Sequence, residues 1–459
     1  MAVWLESKPA SFPPWFSLDG YAQQPADRFR RSRQIPDMLK KFALFLLVSM
    51  AALHAAEPAT AALTPADAVA ASLAGNRDLA AARFAIREAE ARLQQAGLWP
   101  NPELELSHGN DILFSNEGEY SLSTGFKQRF PVTQRLVKAK DVARVDVAMA
   151  LAEIRDRERL IAGDVLRRSR ALLVAREQLV ANRESQGLAQ KLVELSANRL
   201  KAAEASAADV NSAKLELQKL QLEEASLLNQ EESMKAELTG LLGRAPGTPL
   251  EMTGPLDLNF VPAAVAEASR GATARRPDRQ LAALGVDRAA AEIVLARAEK
   301  WEDWTVGFDY FRAYGRFAPP VGGKLDNSIG LSVSIPLPLR NKNQGNISEA
   351  QARRQRTEAE VQALDLRIVT EVQATETQLR RLADLARQYL DQPMKLAEEN
   401  IALLQKGYAD GLIGIAPVIQ AQQQAGALRR GYLDTVAEFE RVRTDWETAA
   451  AITVSSKPE

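Results

Sequence analysis

Cysteine is absent from this 459-residue chain. That removes a disulfide framework, a thiolate metal site and any lipid-modified cysteine. Histidine occurs only at His54 and His108, too few imidazoles to build a typical zinc or copper centre from one chain. Aromatic residues make up 6%, which favours long helices over several compact globules. The formal net charge is −1, so no basic footprint for nucleic acid exists. No phosphate-loop pattern and no catalytic constellation is visible, so the chain reads as a non-enzyme without cofactor or resident metal. Downstream of residue 56 no apolar run is long enough to span a bilayer as a helix, so any membrane insertion there must be by strands.

What the chain does have is itself, twice. Phe130-Pro131-Val132-Thr133-Gln134-Arg135 returns as Ile335-Pro336-Leu337-Pro338-Leu339-Arg340. Asp209-Val210 with Ala213 returns as Pro417-Val418 with Ala421. Gln95-Ala96-Gly97 has its counterpart near Ala296-Arg297-Ala298. An offset this long and this steady means duplication of a large supersecondary unit.

The expected organisation follows. Residues 1–37, rich in Pro and Arg, are read as a misassigned leader, with translation starting at Met38. Residues 38–56 read as a secretory signal: a charged start at Lys40-Lys41, an apolar run from Phe42 to Leu53, then small Ala55-Ala56. The first repeat is placed at 57–242, with a helix, a β-hairpin at 102–131 and a long helical hairpin at 134–242. Residues 243–271, with four prolines, form a connector. The second repeat is placed at 272–452, with a β-hairpin at 303–336 and a helical hairpin at 341–452. Residues 453–459 are a tail.

Thr64 and Pro65 suit the start of the first helix, which is expected to run to about Trp99. In the strands, Tyr120, Leu122, Thr124, Phe126 and Phe130 share one face; Ser121, Ser123, Gly125, Lys127 and Arg129 share the other. Trp304, Val306, Phe308 and Tyr310, then Ile329, Leu331, Val333 and Ile335, alternate likewise, with residues 312–327 expected as a polar loop. A half-buried soluble sheet has the same period. The secretory signal, and the lack of segments to cover such a sheet, favour an outer-membrane barrel wall. Four strands cannot close a barrel alone, and an open edge is not tolerated in lipid, so this reading requires an oligomer. From Gln134 to Leu200 no helix breaker intervenes. Apolar residues at 147, 151, 154, 161, 165, 172, 175 and 179 form a coiled-coil seam, interrupted by Glu158 and Arg168. Pro393 is expected to bend the second long helix. His108 reads as an ordinary polar residue near a strand end, rather than one member of a histidine ring in a trimer. Glu223-Glu224 and Glu231-Glu232 read as solvated helix faces.

Over about residues 63–452 the chain resembles the TolC-like outer membrane efflux protein family. The likeness is carried by QAGLWPNPEL (95–104), RFPVTQR (129–135), ARRPDRQLAAL (274–284) and SIPLPLRNKNQGNI (334–347). The first of these is most similar to the CzcC-like heavy-metal branch. The resemblance implies a mixed α+β, mostly α fold: a homotrimer with a twelve-stranded transmembrane barrel and a periplasmic tunnel of coiled-coil hairpins. It implies an outer-membrane location in a Gram-negative bacterium, contact with outer-membrane lipid, and two protein partners, a periplasmic adaptor and a proton-driven inner-membrane pump. The implied function is passive export of heavy-metal cations. The alternatives are a duct for drugs or other small organic molecules, or a periplasmic coiled-coil scaffold without a pore.

The resemblance also singles out the two helical turns as adaptor-docking tips. In the second repeat these are Asp410, Gly411, Leu412 and Gly414. In the first they are Ala203, Glu204 and Ser206. Ala203 stands where the family usually has Gly, so this turn is expected to differ in shape. Tyr408 and Asp209 match the family positions that latch the periplasmic aperture. Where some drug-exporting relatives carry a ring of aspartates, this chain has Pro417 and Gln420.

Overall fold

The computed structural model describes residues 62–113, 118–256, 258, 262–317 and 322–453. The leader, the signal segment, residues 57–61 and most of the tail lie outside them. Two repeats are evident. The first comprises α1 (Pro65–Gly75), α2 (Arg77–Ala82), α3 (Phe84–Ala96), β1 (Glu103–Asn110), β2 (Tyr120–Phe130), α4 (Arg135–Lys201) and α5 (Ala207–Leu241). After α6 (Pro262–Arg270) the second comprises α7 (Ala272–Arg275), α8 (Pro277–Ala298), β3 (Trp304–Phe317), β4 (Gly322–Ser334), α9 (Gln344–Asp391), α10 (Pro393–Ala409) and α11 (Ile415–Ala449).

The expected single helix to Trp99 is three helices ending at Ala96. The first break has a local cause. Asn76 leaves helical geometry, its Oδ1 accepts from Leu79 N at 2.9 Å, and its Nδ2 donates to Leu241 O at 3.0 Å. One side chain thus starts α2 and holds the end of α5. Pro393 behaves as expected: α9 stops at Asp391 and α10 begins at the proline. α4 is unbroken for 67 residues, about 100 Å at 1.5 Å per residue.

The four strands form one antiparallel meander, β1-β2-β3-β4, and among the described residues the outer edges of β1 and β4 are unpaired. β3 and β4 are 14 and 13 residues long. The expected loop 312–327 is therefore mostly strand. The ladder runs on through Arg312↔Asn327, Tyr314↔Leu325 and Phe317↔Gly322, because backbone pairing does not need the apolar alternation that fades after Tyr310. One face of the sheet carries Leu104, Leu106, Phe126, Phe308, Ile329, Leu331 and Val333, all exposed. That is a large contiguous apolar surface of the kind that marks an interaction or membrane site. Trp99 and Phe130 pack edge to face at the helix end of the sheet, 6.1 Å apart, and Tyr120 stacks on Tyr314 at 5.8 Å near the loop end. The other face is small and charged, with Lys127 paired to Glu105 and Arg129 to Glu103. His108 pairs with Leu122 and so stands on the apolar side, where it cannot contribute to a ring on the polar face.

Among the seam positions of α4, Ile154, Val165, Leu172, Ala175 and Leu179 are buried, but Leu151 is exposed. Ala162, Leu166, Ser169 and Leu173 are buried as well. The buried face is broader than one seam because α4 meets α1, α3, α5, α8 and α11. Of the two interruptions, Arg168 pairs with Glu237 and Glu158 with Arg83.

The duplication is also written in the backbone. Left-handed φ angles recur at Gln134 and Asn343 (55° and 57°), at Ala203 and Gly411 (61° and 78°), and at Gly243 and Ala451 (68° and 53°). These are the entry, tip and exit of each helical hairpin. The exits are secured differently. In the first repeat Ser72 Oγ and Asn76 Nδ2 donate to Leu241 O. In the second, arginines cap the end of α11: Arg159 on Thr448 O at 2.8 Å, Arg276 on Ala449 O at 3.4 Å and Arg275 on Ala450 O at 3.1 Å. Helix-terminal carbonyls need such partners, and cations suit the negative end of the dipole.

Candidate functional site

The two tips lie side by side. α4 ends with Glu204 N donating to Arg199 O at 2.8 Å and Ala203 N to Leu200 O at 3.0 Å. α10 ends with Leu412 N donating to Gly407 O at 2.9 Å and Gly411 N to Tyr408 O at 3.1 Å. These are the same Schellman-type closure. The expectation that Ala203 gives its turn a different shape is therefore corrected. Ala203 takes the left-handed conformation that Gly411 takes freely, and the closing bonds hold it there. Ser206 and Gly414 then stand at equivalent N-caps. Ser206 Oγ accepts from Asp209 N at 3.1 Å, and Asp209 Oδ2 accepts from Ser206 N at 2.9 Å, a complete capping box. Gly414 has no side chain to do the same.

A small core joins the tips: Leu192, Ala213, Tyr408, Ile415 and Val418, flanked by Leu404 and Ile413. Tyr408 is 2% exposed and its hydroxyl has no hydrogen-bond partner among the described residues. Burial raises its pKa; the charge of Arg199 opposes this and that of Asp209 adds to it. The Tyr408–Asp209 hydrogen bond expected for a latch is not made within the chain. Asp209 turns one oxygen to its own helix start, and Tyr408 is held by Arg199.

Arg199 is the residue that sequence reading missed. Its guanidinium lies 4.7 Å from the centroid of the Tyr408 ring and donates to Tyr408 O and, at 3.3 Å, to Glu204 O. A cation in the last turn of α4 was a visible signal. Of the other tip residues, Asp410, Gly411, Leu412 and Gly414 are exposed, as are Ala203, Glu204 and Ser206.

Further along the hairpins, polar straps cross from the first repeat to the second. Gln423 donates to Glu216 at 2.6 Å, Arg430 pairs with Glu223 at 3.3 Å, and Arg429 with Glu184 at 2.5 Å. Glu223 is thus more than a solvated face. Glu224 accepts from Arg183 and Gln186, which hold its carboxyl below the usual range. Glu231 and Glu232 share Lys235. Among the described residues no group of His, Cys, Asp or Glu is arranged to hold a metal ion, and no helix is long and apolar enough to cross a membrane.

Comparison with known proteins agrees with this geometry. Residues 68–244 and 269–436 each match the family described as outer membrane efflux protein, one match per repeat. No match was found among curated protein sequences. Solved structures of similar fold include CusC, whose structures describe transmembrane channel formation, at 18% identity and TM-score 0.68, covering 84% of this chain and 91% of CusC. VceC of Vibrio cholerae, an outer membrane protein, matches at 18% identity and TM-score 0.64, covering 84% and 95%. The open-state outer membrane channel MtrE of Neisseria gonorrhoeae matches at 16% identity and TM-score 0.61, covering 84% and 88%.

Proposed function

Since this chain belongs to the outer membrane efflux protein family, we propose that it is the passive exit duct through which a tripartite system exports heavy-metal cations. An outer-membrane efflux channel extending into the periplasm is what the family provides. The cargo is our reading, supported by the likeness of residues 95–104 to the heavy-metal branch. The observation that carries a duct is the four-stranded sheet with two unpaired edges and one exposed apolar face, joined to hairpins about 100 Å long. Open edges in lipid demand neighbouring strands. A homotrimer of this chain would supply them.

In this reading a periplasmic adaptor docks on the exposed tips at Ala203, Glu204, Ser206, Asp410, Gly411, Leu412 and Gly414. A proton-driven inner-membrane pump supplies the energy. Asp209 and Tyr408 close the aperture. The carboxylate of Asp209 has a second oxygen beyond the one used in capping, so capping and latching can share it.

Deleting the gene and challenging the strain with zinc, cobalt, cadmium, copper and organic dyes tests the cargo. Sensitivity to metals, restored by the wild-type gene, is expected. Sensitivity to dyes alone would make it a duct for organic compounds. Extraction without detergent would leave only a periplasmic scaffold.

A further inference from the structure

The apolar face of the sheet changes character toward its loop end. Successive cross-strand rows on that face read Leu104–Phe126–Phe308–Leu331, then Leu106–Thr124–Tyr310–Ile329, then His108–Leu122–Arg312–Asn327, then Asn110–Tyr120–Tyr314–Leu325. Two wholly or largely apolar rows give way to one holding a histidine, an arginine and an asparagine. The next row contains the stacked pair Tyr120–Tyr314.

Arg312 is exposed and makes no hydrogen bond or ion pair among the described residues. On the opposite face, by contrast, Lys127 and Arg129 each have a glutamate. A cation on the lipid side of a barrel costs most at the mid-plane and little at the interface. The row must therefore sit at the membrane surface, on the side of the hairpin loops and away from the helices. Tyrosines belong at that level, with the ring in the apolar layer and the hydroxyl in the wet one. Strands are about 4.8 Å apart, so the backbones of His108 and Arg312, two strands apart across Leu122, are separated by about 10 Å, a gap that the long Arg312 side chain can narrow to the reach of one phosphate. Tyr310 Oη donates to Asn327 Oδ1 at 3.0 Å, which leaves the amide nitrogen of the exposed Asn327 available as a donor.

We propose that His108, Arg312 and Asn327 form a seat for the phosphate of a phosphorylated glycolipid headgroup in the outer leaflet of the outer membrane. This rests on the outer-membrane duct reading, since it needs the loop end of the sheet to face outward. Arginine forks match phosphate oxygens. The apolar rows beneath would contact the acyl chains of the same lipid.

The test uses the full-length protein, purified in mild detergent as its native oligomer and mixed with bisphosphorylated lipid A or its phosphate-free form. Bound lipid is counted by native mass spectrometry. The wild type is expected to retain the phosphorylated form at least tenfold better than the phosphate-free form. His108→Ala with Arg312→Ala should lose that excess, Arg312→Gln alone should lose most of it, and Lys127→Ala on the opposite face should keep it. Equal retention by the arginine variants, or equal retention of both lipids, would overturn the proposal. Displacement by millimolar inorganic phosphate would also overturn it, in favour of a free-phosphate site. Conductance of the same variants in planar bilayers keeps the two readings apart. Channels that conduct without lipid selectivity sink the glycolipid seat and leave the duct standing.

Discussion

The guanidinium of Arg199 lies across the ring of Tyr408, 4.7 Å from its centroid, and donates to the carbonyl of that same residue. One side chain from the end of α4 therefore holds both the face and the backbone of a residue in the last turn of α10. The contact ties the first hairpin to the second at the point farthest from the sheet.

Replacing Arg199 with Ala removes a cation–π contact and a charged hydrogen bond, together about 2–4 kcal/mol. The expected outcome is a lower unfolding temperature and higher resting conductance in planar bilayers. Arg199→Lys should recover only part of each, because an ammonium lacks the planar fork. Wild-type conductance in Arg199→Ala would show that this contact does not set the aperture.

For the proposed latch, Tyr408→Phe combined with Asp209→Ala should also raise resting conductance. The phenol–carboxylate bond is worth about 1.5–3 kcal/mol. Asp209→Asn is the control, since its amide oxygen can still accept from Ser206 N in the capping box. A double variant no leakier than the wild type would remove these residues from the gate.

Ala203 occupies the left-handed region at φ 61°, which costs an L-residue about 1–2 kcal/mol. Glycine relieves that cost but gives back about 0.5–1 kcal/mol in chain entropy. Ala203→Gly is therefore expected to stabilise by up to about 1.5 kcal/mol, read as a shift in denaturation midpoint. Gly411→Ala should shift it the other way.

Asp278 is partly buried, which alone would raise its pKa. The hydrogen bonds and charge of Arg276 outweigh this and hold its carboxyl below the usual range. Such a group stabilises the fold above the unfolded-state value of about 3.9 and loses that contribution as pH falls through the lower folded value. Asp278→Asn should cost about 1.5–3 kcal/mol at pH 7. The gap from the wild type should close below about pH 4. A gap independent of pH would show that charge is not what matters there.

An epitope inserted between β1 and β2, within residues 112–119, should be labelled on intact cells, because β1 ends at Asn110 and β2 begins at Tyr120, at the opposite end of the sheet from the helices. Labelling only after permeabilisation would invert the orientation of the sheet.

Repeats, strands and long helices were legible because each leaves a periodic trace. Tyr120 to Phe130 alternates by two, and α4 runs from Arg135 without a proline or a run of glycines. The ends were less legible. β3 and β4 extend past Tyr310 and below Ile329 on backbone pairing alone, where Arg312 and Asn327 look like loop residues. The break at Asn76 depends on Leu241 O, 165 positions away. At the tip, Tyr408 and Gly411 stood out in the sequence, whereas the role of Arg199 depends on which helix lies opposite it. Ala203 misled because its residue type argues against a conformation that two backbone hydrogen bonds enforce.

The unbroken run of α4 fixes the reach of the protein. Inserting one residue within it would turn everything beyond by about 100° and advance it by 1.5 Å, pulling Arg199 off Tyr408 and rotating the buried face toward solvent. A single-residue insertion or deletion there has no neutral version. The distance from sheet to tip can change only in whole heptads, added to both arms of a hairpin and to both repeats at once. Lineages that carry this protein can substitute its surface freely, but its length is a quantum they can alter only in large, coordinated steps.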